Sequence, residues 1–318
     1  MEKARARPTV AVVGAGAVGS FFAAHLIAAG SADVTVCVRT PFEELVVESA
    51  LSGELQRFSP RLLTEPGQVA ATAGGPVDWL LLATKAHQTA GAAGWLAALA
   101  GPATRVVVLQ NGVEHEARVR PWLAHAETEI VPAVVYCGAE VVGPGHIVHR
   151  SNGFLIVPAG PTGAALAALY QDSPAGIHLT EDFTSAVWQK LCANVVANGI
   201  TALTERRVAV MRRPDVSAVG RALVGECLAV ARAEGAAIDD GYVDLLLGAV
   251  VGMPDGAGTS MLYDRLAHRP MEQDALYGAV VRVGQRHDIA TPLHAAFLAL
   301  LAAIGDEGAV GSGGGTPA

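Results

Sequence analysis

Gly14-Ala15-Gly16-Ala17-Val18-Gly19 stands between an apolar run, Val10-Ala11-Val12-Val13, and a helix-like run from Phe21 to Ala29. That setting is what a dinucleotide-binding G-x-G-x-x-G requires. Gly14 suits the tight turn out of the strand, Gly16 lets the backbone approach a pyrophosphate, and Gly19 lets the helix pack closely on the sheet. The free N–H groups of the first helical turn then meet the phosphates. Glycine-rich turns are common and the chain holds 36 Gly. The motif counts because a strand precedes it and a helix follows, so residues 14–19 (Gly14, Ala15, Gly16, Ala17, Val18 and Gly19) are the expected cofactor-binding turn.

The second strand, Asp33 to Val38, ends in Arg39. An NAD-type site places an acid there for the ribose 2′-hydroxyl, whereas a cation suits the 2′-phosphate of NADP(H). The alternative is a solvated arginine at a strand end. The run Asp78 to Ala83 reads as a parallel strand covered on both faces and passes into Thr84-Lys85. Ligands of doubly wound sheets bind beyond the carboxyl ends of the strands, so Lys85 is placed either to meet the cofactor or to face solvent. A further strand, Arg105 to Leu109, ends at Gln110-Asn111-Gly112. Asn-Gly is a turn signal, and Asn111 is equally a candidate ligand contact.

With 318 residues, 51% of them hydrophobic and 16% charged, the chain can build two sizeable cores. The net charge of −8 argues against nucleic acid as a main partner and leaves room for a locally basic pocket. Cys37, Cys137, Cys192 and Cys227 are scattered without a C-x-x-C pair and read as reduced residues of a cytoplasmic protein. Neither a signal peptide nor a membrane span is expected. His146 and His149 lie three apart on an expected strand and face opposite sides, so no metal site is assigned.

The first half alternates strands and helices. Pro41-Phe42-Glu43-Glu44-Leu45 has the pattern of a helix start. Ser151-Asn152-Gly153 is a hairpin signal between Gly145–His149 and Phe154–Val157, an antiparallel extension of a mainly parallel sheet. From Ser185 the signals are almost wholly helical. The expected fold class is therefore α/β, an N-terminal Rossmann-type doubly wound domain over residues 1–180 followed by an all-α domain over 181–305. A glycine-rich tail, residues 306–318, is expected to be disordered. The reaction site is expected in the cleft between the two domains.

Lys190, Asn194 and Asn198 are spaced i, i+4, i+8 within an otherwise apolar helix. Burying such groups costs about 1–3 kcal/mol for each left unpaired. A polar ligand could satisfy them, and so could a buried hydrogen-bond network between helices. Further on, Glu272 opens a long helix, where the dipole alone favours an acid. Asp264 and Arg265 read as a structural ion pair.

These residues together resemble the ketopantoate reductases, over Val10 to about Ala303. The resemblance rests on the glycine motif, Arg39, Thr84-Lys85, Asn111-Gly112, Trp188-Gln189-Lys190-Leu191 with Asn194 and Asn198, Ser260-Met261-Leu262 with Asp264 and Glu272, Gly278 and Thr291-Pro292. It implies an NADPH-dependent reduction of a 2-keto acid, ketopantoate to pantoate, on the route to coenzyme A. Lys190 would be the general acid, and Glu272 a catalytic acid at the substrate hydroxyl and the nicotinamide end. Asn111, Asn194, Asn198 and Ser260 would bind substrate, with Asn111 also near the nicotinamide. Arg39 and Lys85 would hold the NADP adenosine phosphate and neighbouring parts of the cofactor. Departures fall on the substrate side. Gly199 stands where many relatives carry proline, Arg206-Arg207 where they carry an Asn-Gly pair, and Met271 and Gln273 flank Glu272 in place of Thr and Ile.

The competing readings are a relative that reduces a different ketone in specialised metabolism and a non-catalytic NADP(H) sensor. The pairing of Lys190 with Glu272 speaks against the sensor. Apolar surface on the helical half allows a homodimer.

Overall fold

The computed structural model describes residues 7–72, 74–151 and 153–310, and within them the chain forms two compact units. The first comprises residues up to Gln110 together with Glu114–Phe183; the second comprises Asn111–Val113 and the chain from Thr184.

In chain order the first unit begins β1 (Thr9–Val13), α1 (Ala17–Ala29), β2 (Asp33–Cys37), β3 (Leu45–Ser49), β4 (Leu55–Phe58), β5 (Arg61–Leu63) and α2 (Val69–Thr72). It continues with β6 (Trp79–Leu82), α3 (Ala93–Leu99), β7 (Arg105–Val108), α4 (His115–Val119), β8 (Glu129–Pro132) and β9 (Val134–Tyr136). It closes with β10 (Ala139–Gly143), β11 (His146–His149), β12 (Phe154–Pro158), α5 (Pro161–Leu169) and β13 (Gly176–Thr180).

Six strands build one parallel sheet in the order β5-β2-β1-β6-β7-β8. Counted within that sheet the order is 3-2-1-4-5-6, the doubly wound dinucleotide-binding arrangement, and it reverses between β1 and β6. Strand periodicity explains why the apolar runs are unbroken. Val10, Val12 and Leu81 join a core with Phe21, Phe22 and Leu26, while Ala11, Val13, Leu80 and Leu82 join another with Leu96 and Leu99. Alternate side chains leave opposite faces of the sheet, and both faces are covered.

Two expectations fail in this unit. The segment after Pro41 is no helix: Leu45–Ser49 is strand β3, paired antiparallel with β4 and parallel with β11. Val46 and Val47 favour a pleated surface and outweigh the proline and acids before them. Nor do β11 and β12 form a hairpin. β11 joins the sheet β10-β11-β3-β4, while β12 lies between β13 and β9 in a separate three-stranded sheet. Asn152, in the middle of the supposed turn, lies outside the described residues.

The second unit is built from α6 (Phe183–Thr204), α7 (Pro214–Ala233), α8 (Tyr242–Val251), α9 (Ser260–Leu266), α10 (Ala279–Arg286) and α11 (Pro292–Val310). A π-helical turn, Asp274–Gly278, leads directly into α10. Val195, Val196, Leu223, Val224, Cys227, Leu276, Val280 and Leu301 are fully buried among these helices. Because α11 continues to Val310, the tail expected from residue 306 begins inside a helix, and residues 311–318 lie outside the described residues. No helix among the described residues is long and apolar enough to cross a membrane.

Candidate active site

In the first unit the glycine turn has a distinct reason for each glycine. Gly14 has φ +102°, and a Cβ there would lie 3.0 Å from the backbone of Ala83 and Thr84. Its N–H donates to the Cys37 carbonyl at 3.1 Å, which fixes the turn to the end of β2. Gly19 has no room at all: a Cβ would lie 1.9 Å from the Gly14 carbonyl oxygen. Gly16, the N-cap of α1, instead faces open space within 4 Å. A ligand can therefore approach the backbone there, at a helix start with no acid in its first turn to oppose an anion. Ala15, Ala17 and Val18 complete the turn, and all three are partly exposed.

Arg39 is exposed just beyond the end of β2. Lys85 is half-buried after β6, at the start of a short 3-10 turn. Gln110, at the end of β7, carried no signal in the sequence beyond preceding Asn-Gly, yet it organises this edge. The Nε2 of its buried side-chain amide donates to the hydroxyls of Thr84 at 3.1 Å and Thr89 at 3.0 Å, and Oε1 accepts from Arg118 at 3.2 Å. The Gln110 carbonyl is 3.0 Å from His115 Nε2. Burial, reinforced by the Arg118 charge, lowers the His115 pKa to about 4, so the ring is neutral and donates that bond.

In the second unit Lys190, Asn194 and Asn198 lie on α6, as their spacing predicts. Asn198 is only 5% exposed. Asn194 Nδ2 is buried without a hydrogen-bond partner. Such an orphan donor costs about 1–3 kcal/mol, which a ligand acceptor would recover.

Glu272 precedes the π-helical turn and is 7% exposed, with Asn111 Nδ2 donating to its Oε2 at 3.2 Å. The dipole alone therefore does not account for this acid. Its neighbour Met271 is buried, and Gln273 Oε1 is buried without a partner.

Ser260 opens α9 and is exposed. Thr259 caps that helix by accepting from Leu262 N–H at 3.1 Å, and its hydroxyl lies 2.7 Å from that of Thr201 on α6. Thr201 Oγ1 already donates to the Ala197 carbonyl at 2.8 Å, so Thr259 is the donor between the two. One turn of α6 separates this bridge from Asn198. The sequence does not mark this pair, because threonine hydroxyls within helices and at their caps usually bond locally.

Asp264 and Arg265 are not paired with each other. Asp264 pairs with Arg269 at 3.0 Å and Arg265 with Glu205 at 3.0 Å, because adjacent helical residues point about 100° apart. Arg207 is exposed, with its guanidinium 5.3 Å from the Tyr263 ring centroid and against Gly258.

A doubly wound sheet with a glycine turn at its switch point, joined to a helical unit bearing a lysine, three amides and a buried acid, defines an NAD(P)-dependent oxidoreductase. Residues 10–162 match the family Ketopantoate reductase PanE/ApbA, and residues 182–305 match its C-terminal counterpart. The chain belongs to the ketopantoate reductase family. It is 43% identical to a 2-dehydropantoate 2-reductase of Caulobacter vibrioides, across 92% of this chain and 98% of that one. A 2-dehydropantoate 2-reductase of Mycobacterium tuberculosis is 42% identical, across 93% and 98%. A dimeric ketopantoate reductase from Staphylococcus aureus shares the fold with a TM-score of 0.82 at 27% identity, across 94% of this chain and 99% of that one.

Proposed function

We propose that this chain is a 2-dehydropantoate 2-reductase that reduces the keto group of ketopantoate with NADPH. The observation that carries the reading is the make-up of the second unit: Lys190, Asn194 and Asn198 on one helix, with Glu272 hydrogen-bonded to Asn111. Support across the whole chain comes from the relatives that share 42–43% of its residues over nearly their full length.

The residues of the glycine turn fit the pyrophosphate of a dinucleotide, since the space at Gly16 is open and helix amides face it. Arg39 would hold the 2′-phosphate and Lys85 neighbouring parts of the cofactor. NADPH, when bound, supplies the hydride for the keto carbon. The Lys190 ammonium stabilises the negative charge that develops on the C2 oxygen and gives that oxygen its proton. Asn194, Asn198 and Ser260 orient the substrate. The Glu272 carboxylate accepts from the substrate hydroxyl and keeps Asn111 turned toward the reacting end. The protein acts as a cytoplasmic enzyme on the route to coenzyme A, and it assembles as a homodimer through its helical unit.

The test is NADPH oxidation with ketopantoate, comparing the native protein with Lys190→Ala. Removing a positioned acid is expected to lower kcat by a factor on the order of 10²–10⁴. Native turnover that the substitution leaves intact would remove Lys190 from the chemistry. A second reading, reduction of another small ketone, is favoured by Arg207 standing over Tyr263 beside Gly258, and by Met271 and Gln273 around Glu272. A panel of bulkier 2-keto acids separates the two: preference for any of them over ketopantoate selects the second.

A further inference from the structure

Helix α6 is crossed by a side chain from elsewhere in the second unit. Tyr277 Oη accepts from the Gly199 N–H at 2.7 Å and donates to the Val195 carbonyl at 2.8 Å. Those two groups are the i, i+4 pair that an uninterrupted α-helix joins directly. The phenol oxygen is thus lodged at a rung of the backbone ladder, and insertion of this kind is an established cause of helix bending.

The lodging depends on a matched pair of residues. A Cβ on Gly199 would lie 2.3 Å from Tyr277 Oη and 2.8 Å from the Phe297 ring, so glycine alone leaves room for the hydroxyl. Tyr277 is itself fully buried, stacked on Phe297 at 5.6 Å and set against His294 at 5.7 Å. Burial raises its pKa, which keeps the donor proton in place for Val195. The residue belongs to the π-helical turn Asp274–Gly278, which starts two residues after Glu272. Single π turns of this sort occur often at functional sites.

The rung divides the polar stripe. Lys190 and Asn194 precede it, whereas Asn198 lies within it. We propose that Tyr277 is a positioning residue that sets the aim of Asn198 relative to Lys190 and Asn194, and couples that aim to the turn behind Glu272. The proposal rests on the reading of Asn198 as a substrate-binding amide. Phenylalanine at 277 would keep the ring and its stacking while leaving Gly199 N–H and Val195 C=O either to close on each other or to go unpaired. In both cases the rung changes, and misplacement by about 1 Å can cost up to 10²-fold.

The experiment is a double-mutant cycle on the full chain with NADPH and ketopantoate, using Tyr277→Phe, Asn198→Ala and both together. Tyr277→Phe is expected to raise the KM for the keto acid about 10-fold, to change kcat by less than about threefold and to leave the KM for NADPH unchanged. The double variant should then be no worse than Asn198→Ala alone, because the hydroxyl acts through that amide. Gly199→Ala, which pushes the hydroxyl out from the opposite side, should give the same signature and serves if Tyr277→Phe does not fold. An unchanged KM in Tyr277→Phe overturns the proposal, and so do two effects that multiply, which is what lost packing alone would produce. If Asn198→Ala itself leaves the KM unchanged, the substrate-site reading has failed and the proposal goes with it. That outcome is told apart by the Asn198→Ala single variant alone.

Discussion

Arg39 is an exposed cation at the end of a strand, where a ribose acid would select the other dinucleotide. A hydrogen bond to a charged group is worth about 1.5–3 kcal/mol, or roughly 10–100-fold in binding. Under the NADP(H) reading, Arg39→Ala should lower kcat/KM for NADPH by about that factor and leave the value for NADH nearly unchanged. Steady-state kinetics with the two cofactors in parallel checks this. Equal losses for both would mean that the guanidinium does not distinguish them. Glu272 shows the limit of reading single residues: its place before a helix suits a dipole partner, and its burial under the Asn111 amide emerges only in three dimensions. Gln110 was harder still, since the partners of its side-chain amide donor, Thr84 and Thr89, lie more than 20 residues away in sequence.

At the scale of elements, the three glycines of the turn should respond differently to a methyl group. Gly16→Ala meets no atom within 4 Å, so the fold should keep its melting temperature while NADPH binding weakens, because the methyl fills the space the pyrophosphate needs. Gly19→Ala would drive a carbon into the Gly14 carbonyl and should lose both stability and binding. Thermal melts with and without NADPH separate the cases, and a destabilised Gly16→Ala would contradict this account of the turn.

Within the parallel sheet β1, β6 and β7 were legible because they are buried on both faces and so appear as continuous apolar runs, whereas the short edge strand β5, with an exposed arginine, was not. α6 and its stripe were legible because helical spacing leaves little choice. β3 was not, since the pairing partners that make it a strand, β4 and β11, lie 11 and 100 residues away by register between Val46–Arg57 and Val46–His146. Tyr277 was equally silent, because an aromatic residue within a helix reads as core until its hydroxyl is located.

For the molecule as a whole, acid should be destabilising through its buried histidines. His25, His115 and His294 all have lowered pKa values, in each case chiefly from burial; Glu226 partly opposes the shift at His294. The folded rings stay neutral while the unfolded chain takes up protons below pH 6.5, so stability is full above that pH and is lost as pH falls. His115, with its value near 4, accounts for about 3 kcal/mol across that window at 1.36 kcal/mol per unit. Urea unfolding at pH 7 and pH 5 should show the loss, and His115→Gln should flatten part of it. Stability that stays level between those two pH values would contradict the neutral assignment.

Asn111–Val113 belongs with the helical unit although the chain on either side of it belongs with the sheet. Recombination between relatives is therefore constrained. A crossover at Thr184 would pass on Glu272 with its helices while leaving the amide that partners it to the other parent. Such chimaeras would work only where the parent that supplies the sheet carries an asparagine at that point. The second unit is thus inherited in two pieces, and its smaller piece travels with the gene segment that encodes the sheet.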